Sequence, residues 1–456
     1  MPAPSREPVA PGEPVEPGVA PDARRSLALL LAINLFNYID RYVLAAILPL
    51  VALEFFGDAK EASGERMGLL GSAFMWSYTL FSPAFGWLGD RTRRWVLVGA
   101  GVILWSLASG ASGLATTFWM LFMARALVGI GEAAYGPTAP TIISDLFPVR
   151  KRSAVLSWFY MAIPVGSALG FLLGGFVGHH WGWRWAFYVV VPPGILLGLL
   201  CFLRREPPRG AADVGGPTRR HLRLADLRVL LHTKSYLLNT AGMTAMTFAL
   251  GALTYWMPTY ISVERGAGEL DHVNFVLGGV VAGAGLTGTL AGGYLGDALR
   301  WRFSGAYFLV SGLGLILGFP LFLATLWLPF PFAWVTMFLS VFCLMLSTGP
   351  SNAITANVCH PALRSTAFAV NIFVIHALGD ALSPWLVGAI KDQAGTLEAG
   401  FLLVGGLILV GGVVWLSGMP HLAGDTALAP RRGDPAPGSR EEQVESSGDG
   451  APNNSV

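Results

Sequence analysis

Five charged side chains stand inside long apolar runs of this sequence: Asp40, Arg41, Arg125, Glu132 and Asp380, with His376 close to the last. An ionisable group at the centre of a bilayer costs about 2.5–3.5 kcal/mol on insertion scales. Each therefore needs a partner or a task. Asn37-Tyr38-Ile39-Asp40-Arg41 falls about halfway along the first run. Adjacent helix residues point about 100° apart and do not readily neutralise one another, so Asp40 and Arg41 require separate partners or a polar cavity. Arg125 and Glu132 are seven apart and share one helical face at different depths. Arg125 reads either as a binding residue or as a structural counter-ion to Glu132 or Asp40. Glu132 lies among Gly129, Gly131 and Gly136, a setting for a buried or cavity-facing carboxyl that can load a proton. His376 and Asp380 are four apart on one face. Imidazole suits proton exchange near neutrality, whereas Asp380, just before Ser383-Pro384, has the alternative of steadying a helix break. The chemistry on offer is proton loading at Asp40, Glu132 and His376 and anion recognition at Arg41 and Arg125. Tyr78, Tyr135 and Asn352 are candidate substrate contacts, although such aromatics more often pack than bind.

Those residues must be carried by membrane-crossing helices. The 456 residues are 53% hydrophobic and 13% charged, against about 25% charged in soluble domains, which excludes an ordinary soluble enzyme. Twelve apolar runs, near 27–54, 67–88, 95–115, 118–145, 153–179, 184–203, 236–262, 273–297, 304–327, 332–358, 365–390 and 399–418, are each long enough to span a bilayer. They are rich in Gly and Ala, as closely packed membrane helices are, and show no strand alternation. The expected fold is an all-α integral membrane protein of twelve transmembrane helices in two six-helix halves. Its parts are a disordered tail 1–25, a half 26–203, a cytoplasmic linker 204–235, a second half 236–420 and a disordered tail 421–456. Of the 30 Lys and Arg residues, 23 fall on the side of the termini and five on the other, which puts both termini in the cytoplasm. The 26 arginines against four lysines point to a bacterium, hence its inner membrane. Cys201, Cys343 and Cys359 lack metal-ligand spacing. Scattered basic residues and a net charge of +2 argue against a nucleic-acid partner. The sequence has no phosphate-binding GxxxxGK[ST] loop and no GxSxG elbow, so neither ATP as direct energy source nor hydrolase chemistry is expected, and no cofactor is called for. Protons, membrane lipids and a lipid-like or anionic small molecule are the expected partners of a monomer.

The halves repeat. Gly86-Trp87-Leu88-Gly89-Asp90 recurs as Gly293-Tyr294-Leu295-Gly296-Asp297 at an offset of 207. Gly136-Pro137 recurs as Gly349-Pro350 at 213, and Arg152-Ser153 as Arg364-Ser365 at 212. Three co-linear matches indicate parallel repeats related by an axis along the membrane normal, which can rock about a midplane cavity. Asp90 and Asp297, with Arg91 beside the first, are placed to gate the cytoplasmic side. Each carboxylate is expected to accept from backbone N–H groups at a facing helix start, near Arg364 and Arg152 respectively. Asp380 joins this gating set through its kink.

The segment GWLGDRTRR, 86–94, with its counterpart GYLGDALRWR, 293–302, resembles the cytoplasmic loop motif of the major facilitator superfamily. The strings at 37–49, 131–148, 157–170 and 374–384 resemble the spinster family within it. That resemblance implies proton-linked flux of lysolipid-type molecules, among them lysophospholipids, sphingosine and sphingosine-1-phosphate in animal members. It places the family's acidic and basic pair of helix 1 on Asp40 and Arg41, and its Arg and Glu of helix 4 on Arg125 and Glu132. The other reading of the same charges is proton symport of a small organic anion clamped by Arg41 and Arg125.

Overall fold

Out of water every backbone N–H and C=O must find an internal partner, so apolar runs of this length fold as helices. The computed structural model describes residues 22–209, 224–360 and 363–429 and is helical throughout, with no strand among them. Six rods form the first half: α1 Ala23–Phe56, α2 Gly64–Gly89, α3 Arg94–Gly113, α4 Phe118–Leu146, α5 Val149–Trp181 and α6 Trp183–Phe202. Six form the second: α7 Lys234–Glu264, α8 Leu270–Arg300, α9 Ala306–Trp327, α10 Phe332–Asn357, α11 over 364–394 and α12 Leu397–Gly418. Ten of these are long and apolar enough to cross a membrane by composition alone. The two that fall short are α1 and α2. Helix α1 carries Asp40, Arg41 and two asparagines, and α2 is diluted by serines, glycines and Pro83.

Local sequence sets the breaks. Helix α4 is interrupted between Tyr135 and Ala139, at Gly136-Pro137, and α10 between Met345 and Thr348, just before Gly349-Pro350. The repeated dipeptide thus yields a repeated bend, because proline cannot donate to the preceding turn. In α11 the turn His376–Asp380 widens to a π-helix with Gly379 at φ −96°, ψ −105°, and regular helix resumes at Ser383-Pro384. Some boundaries differ from expectation. Helix α1 already begins at Ala23, inside the expected tail, with Ala23 and Ser26 buried. Leu224–Leu231 of the linker is a short helix. Leu422–Leu428 is another, held because Leu422 is buried and Asp425 accepts from the Ser235 N–H at the start of α7, 2.8 Å. Residues 1–21, 210–223 and 430–456 of the tails and linker lie outside the described segments.

The halves meet at the face opposite the termini, here the far face. Glycines bring α2 and α11 into backbone contact there: a Cβ on Gly68 would collide with the Pro384 carbonyl, and one on Gly388 with the Gly64 carbonyl. Helices α5 and α8 pack similarly, with Gly278 against Ala168 and Gly175 against Asn274. On the terminal face the segment Arg364–Ile375 of α11 packs on α7 and α10 of its own half. The described hydrogen bonds and ion pairs between halves all lie toward the far face.

Candidate functional site

The middle of α1, where the backbone is otherwise packed by Ile39, Val43 and Leu44, presents Asp40 and Arg41 to different partners. Arg41 Nη2 donates to Glu132 Oε2 of α4 at 2.8 Å. Its guanidinium is cupped by three rings, Tyr38, Phe74 and Tyr78, with centroids 5.0, 4.8 and 5.5 Å away. Such cation–π contacts hold a cation without neutralising it. Asp40 instead accepts from the Ser109 hydroxyl of α3 through Oδ1. Arg125 of α4 is a charged neighbour of Asp40, as is Arg41 next to it in sequence. Arg125 lies between Phe74 at 5.6 Å and Phe187 at 5.9 Å. One ring, Phe74, therefore touches both guanidinia.

The cluster is deeply buried yet incompletely bonded. Asp40, Arg125 and Glu132 are 1–2% exposed. Asp40 Oδ2, Glu132 Oε1, Arg41 Nε, and Arg125 Nε and Nη1 are buried without a hydrogen-bond partner. Buried polar atoms are nearly always paired, and charged ones left open are costly. Five such atoms around two cations and two carboxylates leave the cluster with unused hydrogen-bonding capacity for both donors and acceptors.

From the other half, His376 of α11 reaches the same depth. Its ring meets Tyr78 edge-on at 6.3 Å, and its Nδ1 lies 3.0 Å from both oxygens of Asp380. The π turn puts His and Asp four residues apart in direct contact, so Asp380 is engaged with His376 within the kink. Tyr78 thus links the two halves. Tyr135 does not join the cluster: it is buried, donates to the Leu30 carbonyl at 2.8 Å, and packs between Trp105 and Phe159. Its short reach across to α1 makes it a strut. Asn352 is exposed on α10 and donates to the Thr348 carbonyl of its own helix at 2.8 Å.

Among the described residues the expected terminal-face gate is not engaged. Asp90 is exposed, and its backbone N–H caps α2 on the Gly86 carbonyl. Arg91 folds back on Trp87, 4.0 Å from the ring. Asp297 accepts from the Tyr307 hydroxyl of its own half at 2.8 Å, and Arg364 donates to the Ala356 carbonyl at 2.9 Å. The side chain of Arg152 lies outside the described residues. Among the described residues neither aspartate has a hydrogen-bond partner in the other half, whereas the bonds between halves lie toward the far face.

An aspartate on a facing helix start does occur, at the other end of the molecule. Asp392 of α11 accepts from the Gly64 N–H at 2.5 Å, the Glu65 N–H at 3.0 Å and the Ser63 hydroxyl at 2.9 Å, all at the start of α2. Beside it, Lys391 Nζ donates to the carbonyls of Lys60 and Ala62 at 2.9 and 2.7 Å. Trp385 adds Nε1–H to Glu65 at 3.2 Å. Sequence reading missed Asp392, Lys391, Ser109 and Tyr38. The available signal for Ser109 was the three-residue spacing of Ser106, Ser109 and Ser112, which stacks hydroxyls on one face of α3. Among the described residues, metal-type ligand atoms gather at one place, where His179, Glu269 and Asp271 lie at the far-face ends of α5 and α8, with His179 Nε2 3.4 Å from Glu269.

The Major Facilitator Superfamily profile matches residues 30–384. The chain is 36% identical over 406 residues to the zebrafish (Danio rerio) protein spinster homolog 3, covering 84% of this chain and 80% of that one. It is 35% identical over 388 residues to the mouse (Mus musculus) sphingosine-1-phosphate transporter SPNS2, covering 80% and 69%. Among solved structures, a bacterial homolog of the human lysosomal transporter spinster, inward-facing and unoccupied, superposes with TM-score 0.75 at 21% identity, over 92% of this chain and 100% of that chain. A D-xylose–proton symporter does so with TM-score 0.70 at 18% identity, over 88% and 98%.

Proposed function

The chain belongs to the spinster family of the major facilitator superfamily and is an integral membrane transporter, not an enzyme; from that premise we propose that it moves lysolipid or sphingolipid-like amphiphiles by alternating access coupled to protons. The observation that carries the reading is Arg41, a cation at mid-depth held by three aromatic rings and by one exchangeable carboxylate, Glu132. An anionic head group takes the place of Glu132 on Arg41, and the unpaired N–H groups of Arg125 offer a second anchor. Two carboxylates and two guanidinia balance as they stand. An added anion leaves one negative charge too many, which a proton on Asp40 or Glu132 cancels. His376, in contact with Tyr78, gives the second half a proton acceptor at the same depth. Mouse SPNS2 is named as a sphingosine-1-phosphate transporter, which supports a phosphorylated lysolipid.

The proposed setting is a bacterial inner membrane and a monomer, with both termini in the cytoplasm as the Lys and Arg distribution supports. The site is then open to the cytoplasm and closed to the outside. In the opposite conformer Asp90, Arg91, Asp297 and Arg364 come to the seal, with Arg152 as the fifth member and the α11 kink at Asp380 as hinge.

Thermal-shift and calorimetric titration in detergent tests the reading, with lysophosphatidate and sphingosine-1-phosphate set against aliphatic dicarboxylates. The lysolipids are expected to raise the melting temperature of the wild type. Arg41→Ala should lose about 1.5–3 kcal/mol of that binding, the worth of a charge-assisted hydrogen bond. Arg41→Lys should recover only part of it, for want of the planar fork. Stabilisation by dicarboxylates alone would make the protein a small-anion symporter.

A further inference from the structure

Helix α3 sends one polar group into the central cluster. Ser106, Ser109 and Ser112 stand on the same face, all buried. Ser106 returns its hydroxyl to the Val102 carbonyl at 2.7 Å and Ser112 to the Ala108 carbonyl at 3.1 Å, the usual resting state of a serine inside a helix. Ser109 departs from that habit. Its hydroxyl crosses to α1 and donates to Asp40 Oδ1. The second oxygen, Oδ2, is buried and has no partner. The carboxylate is thus held at one oxygen and open at the other.

The charged groups around Asp40 are Arg125 and Glu132 from α4 and Arg41 from its own helix. None of them donates a hydrogen bond to it among the described residues, so Ser109 alone fixes the orientation of the carboxyl. A hydroxyl both donates and accepts. It can donate to the carboxylate and, once Oδ2 has taken a proton, remain on Oδ1 without rearrangement of either helix.

We propose that Ser109 is a positioning residue for proton coupling, holding Asp40 by one oxygen so that the other receives the proton. The proposal rests on the reading that Asp40 carries the coupling proton. Three consequences separate it from simple packing. A donor to the ionised carboxylate favours that form, so its removal should let Asp40 protonate at higher pH. Ser106 and Ser112, bonded within α3, should have no such effect. Substrate affinity at a pH where Asp40 is in one state throughout should not change.

The test is an infrared pH titration of the carboxyl stretch in detergent-solubilised protein without substrate, with Asp40→Asn and Glu132→Gln identifying each band. Ser109→Ala removes one oxygen from a small buried site and should fold. Its Asp40 band is expected to titrate about one pH unit higher than in the wild type, the tenfold effect of one hydrogen bond to a charged group. Ser106→Ala and Ser112→Ala should leave it in place. In proteoliposomes, lysophosphatidate flux driven by an imposed pH gradient should show the same displacement for Ser109→Ala and vanish in its gradient response for Asp40→Asn. An unmoved Asp40 band in Ser109→Ala overturns the proposal, and so does an equal displacement in Ser106→Ala, which would mark a packing effect. If Asp40→Asn keeps its full response to the gradient, the parent reading of Asp40 fails, and a displaced band would then mark a structural pair with no part in coupling.

Discussion

At the scale of single residues the structure separates aromatics that sequence left equivalent. Tyr78 and Tyr135 are both tyrosines in Gly-rich helices of the first half. Tyr78 faces Arg41 and His376, whereas Tyr135 has its hydroxyl committed to a backbone carbonyl of α1. Tyr135→Phe should therefore lower stability by about 0.5–1.5 kcal/mol, read as a lower melting temperature, and leave lysolipid affinity unchanged. A drop in affinity with unchanged melting would return Tyr135 to the binding site. The intramembrane charges themselves were legible, because no apolar run tolerates them without cause. Their pairing was not. Arg41 could equally have sought Asp380 or a head group, and only the crossing of α1 and α4 selects Glu132. Ser109 escaped notice because the spacing of Ser106, Ser109 and Ser112 marks a polar face of α3 but does not say which of the three hydroxyls leaves its own helix for another.

At the scale of elements the informative feature is the end of α11 on the start of α2. Asp392 caps a helix that belongs to the other half, so the cap exists only while the far face is closed. Loss of a capping side chain costs about 0.5–2 kcal/mol, and the exposure of Asp392 favours the lower part of that range. Asp392→Ala should raise the far-open population roughly two- to tenfold. Gly388→Leu should do so more strongly, since its side chain meets the Gly64 carbonyl and the helices must part. Spin labels on the far-face ends of α2 and α11 would report a longer distance component in both variants. An unchanged distribution in both would remove Asp392 from the closure. Sequence reading expected an aspartate on a facing helix start at the terminal face, from the repeated Gly-Asp motif. The physics was sound, but the conformer realises it at the other end and with another aspartate.

For the whole molecule the controlling fact is the asymmetry of closure: among the described residues the halves are in contact at the far face, and each is bonded to itself at the terminal face. The orientation proposed from the charge distribution assigns this asymmetry a direction in the cell. Single cysteines introduced at Asp58 or Gly268 are expected to react with an impermeant maleimide from outside intact cells, and those at Arg93 or Arg300 only from inside. The reverse pattern would invert the proposed orientation and place the open side of the site outside the cell.

Sequence alone determined the class of molecule, its helix count and its duplicated halves, because burial of apolar length and backbone pairing out of water leave a chain of this composition one kind of fold. It also determined which side chains are too costly to be idle, since a charge in a bilayer is visible without coordinates. What it could not decide was who meets whom. The Arg41–Glu132 pair spans 91 positions, Ser109 reaches back 69 to Asp40, and Asp392 reaches 328 to Gly64. Such contacts depend on how twelve rods cross, turn about their axes and tilt toward one face. Those variables are fixed by packing at Gly68, Gly388 and their neighbours, and no local pattern in the sequence encodes them.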